Sequence, residues 1–146
     1  MWDGAKFITR QGNVLNAPAW FVAGLPSIPF DGELFAGRGN FNAIQGMLAN
    51  NWVGLSFQIF DAPAMDAPFR NRYAFLNTQS LPAHCGIIKQ TRCNDTKHVV
   101  EVADVIVGDG GEGVVIRNPR AKYNAGRTWE VLRWVPQLPS KNRVKF

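Results

Sequence analysis

Cysteine is scarce in this chain: Cys85 and Cys93 are the only two, with no CxxC and no His pair at zinc spacing. A structural zinc knot is therefore excluded. The two thiols either pair or stay reduced; with no leader-like segment ahead of them, reduced thiols are the expectation. Histidine is as rare, and His84 and His98 sit in no motif, which assigns them solvated or capping roles rather than catalysis. No apolar run approaches the ~20 residues that span a bilayer. A cytoplasmic protein with no membrane partner is the expectation. Repeats and low-complexity linkers are missing too. So is a P-loop: Gly108-Asp109-Gly110-Gly111-Glu112-Gly113 lacks the Gly-Lys-Ser/Thr ending. Gly37-Arg38-Gly39 is as poor a dinucleotide fingerprint, and both stretches read as turns.

What is present describes a globular domain. Apolar residues make up 46% of 146, and charged residues only 18%, a balance that builds a core and excludes disorder. The net charge of +5 and pI near 9.6 favour an anionic partner, nucleic acid first, or serve solubility alone.

Turn and period signals place short elements along the chain. Lys6–Thr9 reads as a strand, followed by a Gln11-Gly12-Asn13 turn. Phe30–Phe35 reads as a second strand, and Asn40 as the cap of a helix bearing Phe41, Ile44, Met47 and Leu48. Leu55–Phe60 alternates as a half-buried strand. Asp66 and Pro68 mark a helix start, with Phe69, Tyr73 and Leu76 on one face. Pro82 through Cys93 gives no clear period. Asp95 caps a predicted helix through Ile106, stopped by Gly108, Gly110 and Gly111. Strands Val114–Ile116 and Glu130–Val135 close the pattern. Irregular interleaving of strands and helices with tight turns favours an α+β fold over a doubly wound sheet.

Two of these strands carry a glutamate beside glycine: Asp31-Gly32-Glu33-Leu34 and Glu112-Gly113-Val114-Val115-Ile116-Arg117. Glycine beside an acid lets a backbone or ligand approach closely. Carboxylates in company with basic groups suit metal-assisted phosphate chemistry. Two more strings join them in order, Thr9-Arg10-Gln11-Gly12-Asn13 and Phe57-Gln58-Ile59-Phe60-Asp61. Taken one at a time, Glu33 with Arg117 reads equally as an ordinary surface pair and Phe60 as an ordinary core residue. Together the four strings resemble the nucleotidyltransferase domain of ATP-dependent DNA ligases, over nearly the whole chain.

The resemblance implies a ligase-type nucleotidyltransferase fold of mixed and antiparallel sheets flanked by helices. It implies that Arg10 grips phosphate through its planar fork. Phe60 would stack on adenine, a role that suits a flat apolar ring. Glu33 would lie by the ribose and, with Glu112, hold the metal. Arg117 and Arg133 complete the expected nucleotide-binding set, and Arg38 and Arg127 join Arg10 as expected DNA-phosphate contacts. Tyr123-Asn124-Ala125-Gly126-Arg127-Thr128 resembles the segment between the family's fourth and fifth motifs. ATP and Mg2+ are the implied cofactors and nicked duplex DNA the implied partner.

The chain departs from the family at two places. Where a Leu-Leu-Lys-x-Lys motif is expected, it reads Val131-Leu132-Arg133-Trp134-Val135, so one lysine is replaced by Arg133 and the other lost to Val135. The nucleophilic lysine stands two residues before Asp-Gly in the family, and here Met1 holds that place before Asp3-Gly4. Alternatively, and in better agreement with the spacing, Trp2-Asp3-Gly4 is the family's second such string, just ahead of the Arg10-Gln11-Gly12 turn, so that Met1 is expected to start downstream of the lysine motif and the chain to lack the family's first strand. Either way no catalytic nucleophile is assigned. The expected organisation is a partial adenylation domain over 1–139 and a basic tail over 140–146. In that tail Lys141, Arg143 and Lys145 are solvated or contact phosphate. An OB-fold domain is expected to be absent, and a separate chain to supply the missing parts. The expected function is nick sealing through AMP transfer to a DNA 5′-phosphate, without self-adenylation by this chain. A non-catalytic nucleotide- or DNA-end-binding remnant, and an RNA ligase or capping-type nucleotidyltransferase, are the alternatives.

Overall fold

The computed structural model describes residues 1–136; the expected domain edge at 139 and the basic tail lie outside them. The described residues divide into two compact units, Met1–Gln90 with Pro119–Arg127, and Thr91–Asn118 with 128–136.

In the first unit, β1 (Phe7–Ile8) and β2 (Val14–Leu15) form a small antiparallel hairpin. Its loop is closed by Thr9 N–H donating to Asn13 O and Asn13 N–H to the Thr9 hydroxyl, with Gly12 at φ +87°. Trp2 bridges both Phe7 and Phe30, and the Asp3 carboxylate accepts from Ala5 and Lys6 N–H in the intervening turn. Those two donors hold the Asp3 carboxyl below its ordinary range. After the short helix α1 (Ala19–Val22), strands β3 (Asp31–Phe35), β4 (Ser56–Asp61) and β5 (Cys85–Ile87) make one mixed sheet in the order β3-β4-β5. The β3-β4 pair is antiparallel and β4-β5 parallel. A 3-10 turn (Phe41–Ala43) and helix α2 (Ile44–Ala49) link β3 to β4, and α3 (Phe69–Leu76) follows β4.

The core lies on one face of that sheet. Phe57 and Ile59 of β4 point into it and meet Trp2, Phe7, Phe21, Phe30 and Trp52. The rings meet largely edge to face: Phe7 and Phe57 lie 4.9 Å apart at 90°, Phe21 and Trp52 4.8 Å apart at 64°. Such geometry adds to the burial of apolar area. Trp52 is held at φ +63°, uncommon for a bulky residue, by this packing and by its N–H donating to Met47 O.

Several expectations are corrected. Asn40 precedes the 3-10 turn but does not cap it; its amide donates to Ala36 O instead. Asp66 does not cap α3 but pairs with Lys122 at 2.8 Å. The first amides of α3 are satisfied by backbone: Phe69 N–H donates to Ala121 O and Arg70 N–H to Pro119 O. His84 is half-buried rather than solvated but does cap: Nε2 lies 2.8 Å from Phe21 O in the last turn of α1, and the ring packs on Phe21. His98 also takes part in a cap.

In the second unit, α4 (Thr96–Gly108) begins as expected, with the Asp95 carboxylate accepting from His98 N–H at 2.8 Å. It ends in a Schellman arrangement: Gly111 N–H reaches Ile106 O and Gly110 N–H reaches Val107 O, with Gly110 at φ +81°. Strands β6 (Val114–Arg117) and β7 (Val131–Trp134) form an antiparallel ribbon, closed by Asn118 bonding Glu130 through backbone and side chain. The fold is α+β, as the interleaved elements predict. Among the described residues no helix is long and apolar enough to cross a membrane.

Candidate functional site

Glu33 and Phe60 come together on the face of the β3-β4-β5 sheet turned away from the core. Burial alternates along β4, so Phe57, Ile59 and Asp61 point inward while Ser56, Gln58 and Phe60 point outward, half-buried. Glu33 is opposite Gln58 in register, and Gln58 is opposite Gly86 of β5. One row across three strands therefore reads Glu33, Gln58, Gly86. Phe60 stands at the end of the same face.

A β-bulge sets its position. The register jumps from Asp31↔Asp61 to Gly32↔Ile59, which makes Phe60 the extra residue of β4 in its pairing with β3. Bulges re-aim a side chain and recur beside functional sites. Gly32 permits the strands to meet here: a Cβ on it would lie 2.5 Å from Gln58 O and 2.6 Å from the Phe57 ring.

Beside the bulge lies a buried ion pair. Arg72 meets Asp61 in a bidentate fork, Nε to Oδ1 at 2.6 Å and Nη2 to Oδ2 at 3.1 Å. Ala62 N–H also donates to Asp61, and Arg72 Nη1 donates to Ala67 O and to Ala121 O. The guanidinium lies against the rings of Phe69 and Tyr123, and the Tyr123 hydroxyl donates to Asp31 at 2.8 Å. This network fastens residues 119–127 to the rest of the first unit. Sequence reasoning does not single out Asp31, Asp61, Arg72 or Tyr123 as site residues. The Asp61–Arg72 spacing of eleven crosses a helix start and carries no periodic signal.

The predicted phosphate ligands Arg10, Arg38 and Arg127 are exposed residues of the first unit, on three different loops. The second unit holds Glu112, Arg117 and Arg133. Glu112 accepts from Arg133 Nη2 in an exposed ion pair. Val115 is opposite Arg133 and Val131 opposite Arg117, so both arginines lie on one face of the ribbon. Gly113, at φ +140°, lets β7 pass close: a Cβ there would collide with Trp134 O.

Among the described residues no three His, Cys, Asp or Glu side chains gather as a metal cage. A Mg2+ held by one or two carboxylates and substrate phosphates needs no such cage. Glu33, an exposed carboxylate, fits that demand. Glu112 fits it less well, because its charge is already met by Arg133.

The fold, small mixed and antiparallel sheets with helices, is of the DNA-ligase nucleotidyltransferase type, as its match to a solved ligase structure shows. The family model described as "ATP dependent DNA ligase domain" matches residues 32–134, and the chain belongs to that family. It is 32% identical over 139 residues to a DNA ligase of Haemophilus influenzae, covering 90% of this chain and 52% of the relative. A solved structure described as "DNA binding with a minimal scaffold: Structure-function analysis of Lig E DNA ligases" superposes with a TM-score of 0.85 at 28% identity. That match covers 93% of this chain and 57% of the other. The chain thus spans about half the length of the relatives it matches.

Proposed function

We propose that this chain holds an adenine nucleotide and a DNA 5′-phosphate end as part of ATP-dependent nick sealing, without becoming adenylated itself. One observation carries the reading: Glu33 and the bulged Phe60 share the open face of the β3-β4-β5 sheet. The Phe60 ring offers a flat surface to the purine. Glu33 takes the ribose and, with substrate phosphates, a Mg2+ ion. Arg10 binds phosphate through its fork, and Arg117 and Arg133 are the further cations for the nucleotide. Arg38 and Arg127 neutralise DNA phosphates. The divalent metal, when bound, offsets charge on the phosphates.

In this chemistry a lysine amine attacks the α-phosphate of ATP and pyrophosphate leaves. AMP then passes to the DNA 5′-phosphate, and attack by the 3′-hydroxyl releases AMP as the nick closes. No lysine precedes an Asp-Gly by two residues in this chain: Met1, Pro29 and Val107 hold those places. Lys6, the nearest alternative, is exposed and its N–H is tied into the Asp3 turn. On this reading the amine comes from outside these 146 residues. DNA as partner is supported by the relatives, which are DNA ligases, and by the net charge of +5.

Two assays test this. With labelled ATP and Mg2+, equilibrium dialysis is expected to show retention of ATP while denaturing gels show no covalent label. With a pre-adenylated nicked duplex, binding is expected to weaken steeply with salt. A covalent label overturns the non-adenylating part, and failure to bind either ligand overturns the whole.

A further inference from the structure

We infer that the carboxamide of Gln58 reads a ribose hydroxyl beside Glu33, an inference that rests on the nucleotide site just proposed.

Gln58 occupies the centre of the open face, between Glu33 on β3 and Gly86 on β5. Adjacent strands run about 4.8 Å apart, so the Glu33 and Gln58 side chains rise side by side. Its amide has a defined direction. The Ser56 hydroxyl has a single proton, and donates it to Phe35 O at 3.2 Å. Toward Gln58 it therefore only accepts, and the group 3.0 Å away is the NH2 end, Nε2. The carbonyl Oε1 is turned to the β5 side, where Gly86 contributes no side chain. A Cβ at Gly86 would come within 2.9 Å of it. Among the described residues no hydrogen bond to Oε1 is made. A half-buried acceptor of fixed aim, over bare backbone, is suited to a donor from a ligand.

The strand spacing says which donor. Phe60 is two residues further along β4 on the same face, at most about 6.6 Å away along the strand, because the bulge bends it. That is close to the separation between a nucleoside's base and its sugar hydroxyls. With the purine on Phe60, the sugar falls over the Glu33–Gln58 row. A base amino group would reach Oε1 only if the purine left the ring. Oε1 thus accepts from one ribose hydroxyl while Glu33 engages its neighbour, and the pair grips a cis-diol.

The test compares binding of ATP, 2′-deoxyATP and 3′-deoxyATP to the full chain, to Gln58→Leu and to Gly86→Ala, with Mg2+ present. The wild-type chain is expected to prefer ATP over one deoxy analogue by about 3–10-fold, the worth of one such hydrogen bond. Gln58→Leu is expected to erase that preference while leaving the affinity for that analogue unchanged. Gly86→Ala, whose methyl presses on Oε1, is expected to reduce the preference and serves as the deciding variant if Gln58→Leu does not fold. A wild-type preference kept by the variants overturns the inference. Equal losses for all three nucleotides overturn it too, since that is the mark of a structural role. If the wild-type chain binds none of the three, the nucleotide site itself fails, a result distinct from a site that binds without discriminating.

Discussion

Gly32 and Gly113 flank the two motif glutamates, and at each a methyl group would collide with a neighbouring strand. Gly32→Ala is expected to destabilise the chain by about 1–3 kcal/mol, read as a lowered urea midpoint, because both Gln58 O and the Phe57 ring must move. At these positions the sequence is informative: glycine next to an acid signals close approach, and the structure shows that the approaching groups are backbone and a core ring. The thiols give a second residue-scale outcome. Burial pushes the Cys85 thiol up to about 11, whereas Cys93 is exposed. At about pH 8 a disulfide reagent is expected to label Cys93 first and Cys85 only slowly or on unfolding, since the thiolate is the reactive form. Trp residues show how far composition reaches. Trp2 and Trp52 are core, but Trp129 is 91% exposed, and nothing in its neighbours' polarity foretells that.

Among the elements, those with local signatures are legible. The α4 cap and stop can be read because Asp95, Gly110 and Gly111 act within a few residues of themselves. Asp95→Ala is expected to cost about 1 kcal/mol, measured by chemical denaturation, through loss of the bond to His98 N–H. Nothing in the sequence announces strand β5. Cys85-Gly86-Ile87 has no alternation to read, and its register comes from parallel pairing with β4 across a long crossover. The bulge at Phe60 is equally hidden. The string Phe57–Asp61 looks like an unbroken strand, and only its pairing with β3 leaves one residue over. The start of α3 misleads for a related reason: its amides are met by Pro119 and Ala121, far downstream, rather than by the nearby Asp66. The motifs assign Glu33 and Phe60 to one site, and the two do share a face. Glu112, Arg117 and Arg133 belong to the second unit.

At the scale of the whole chain, the Asp61–Arg72 pair is the principal buried polar contact among the described residues, with both side chains about 3% exposed or less. Arg72→Met leaves a buried carboxylate without its partner and releases Ala121 O. The expected loss is about 3–5 kcal/mol in urea unfolding, far more than for the exposed Glu112–Arg133 pair. For Arg133→Ala the expected change is below about 1 kcal/mol. Replacing both Asp61 and Arg72 by apolar residues is expected to cost less than Arg72→Met alone, because the stranded charge is then gone.

Residues 119–127 have a consequence for the order in which the protein is made. A ribosome completes α3 well before it reaches Ala121, 49 residues after Arg72. Until then the first amides of α3 lack their acceptors, and Asp31 lacks the Tyr123 hydroxyl. The first unit therefore cannot close as it emerges. It must wait through the synthesis of α4 and β6, which belong to the other unit, and a nascent chain arrested at Asn118 is expected to be cut by protease in the α3 region that the released protein protects.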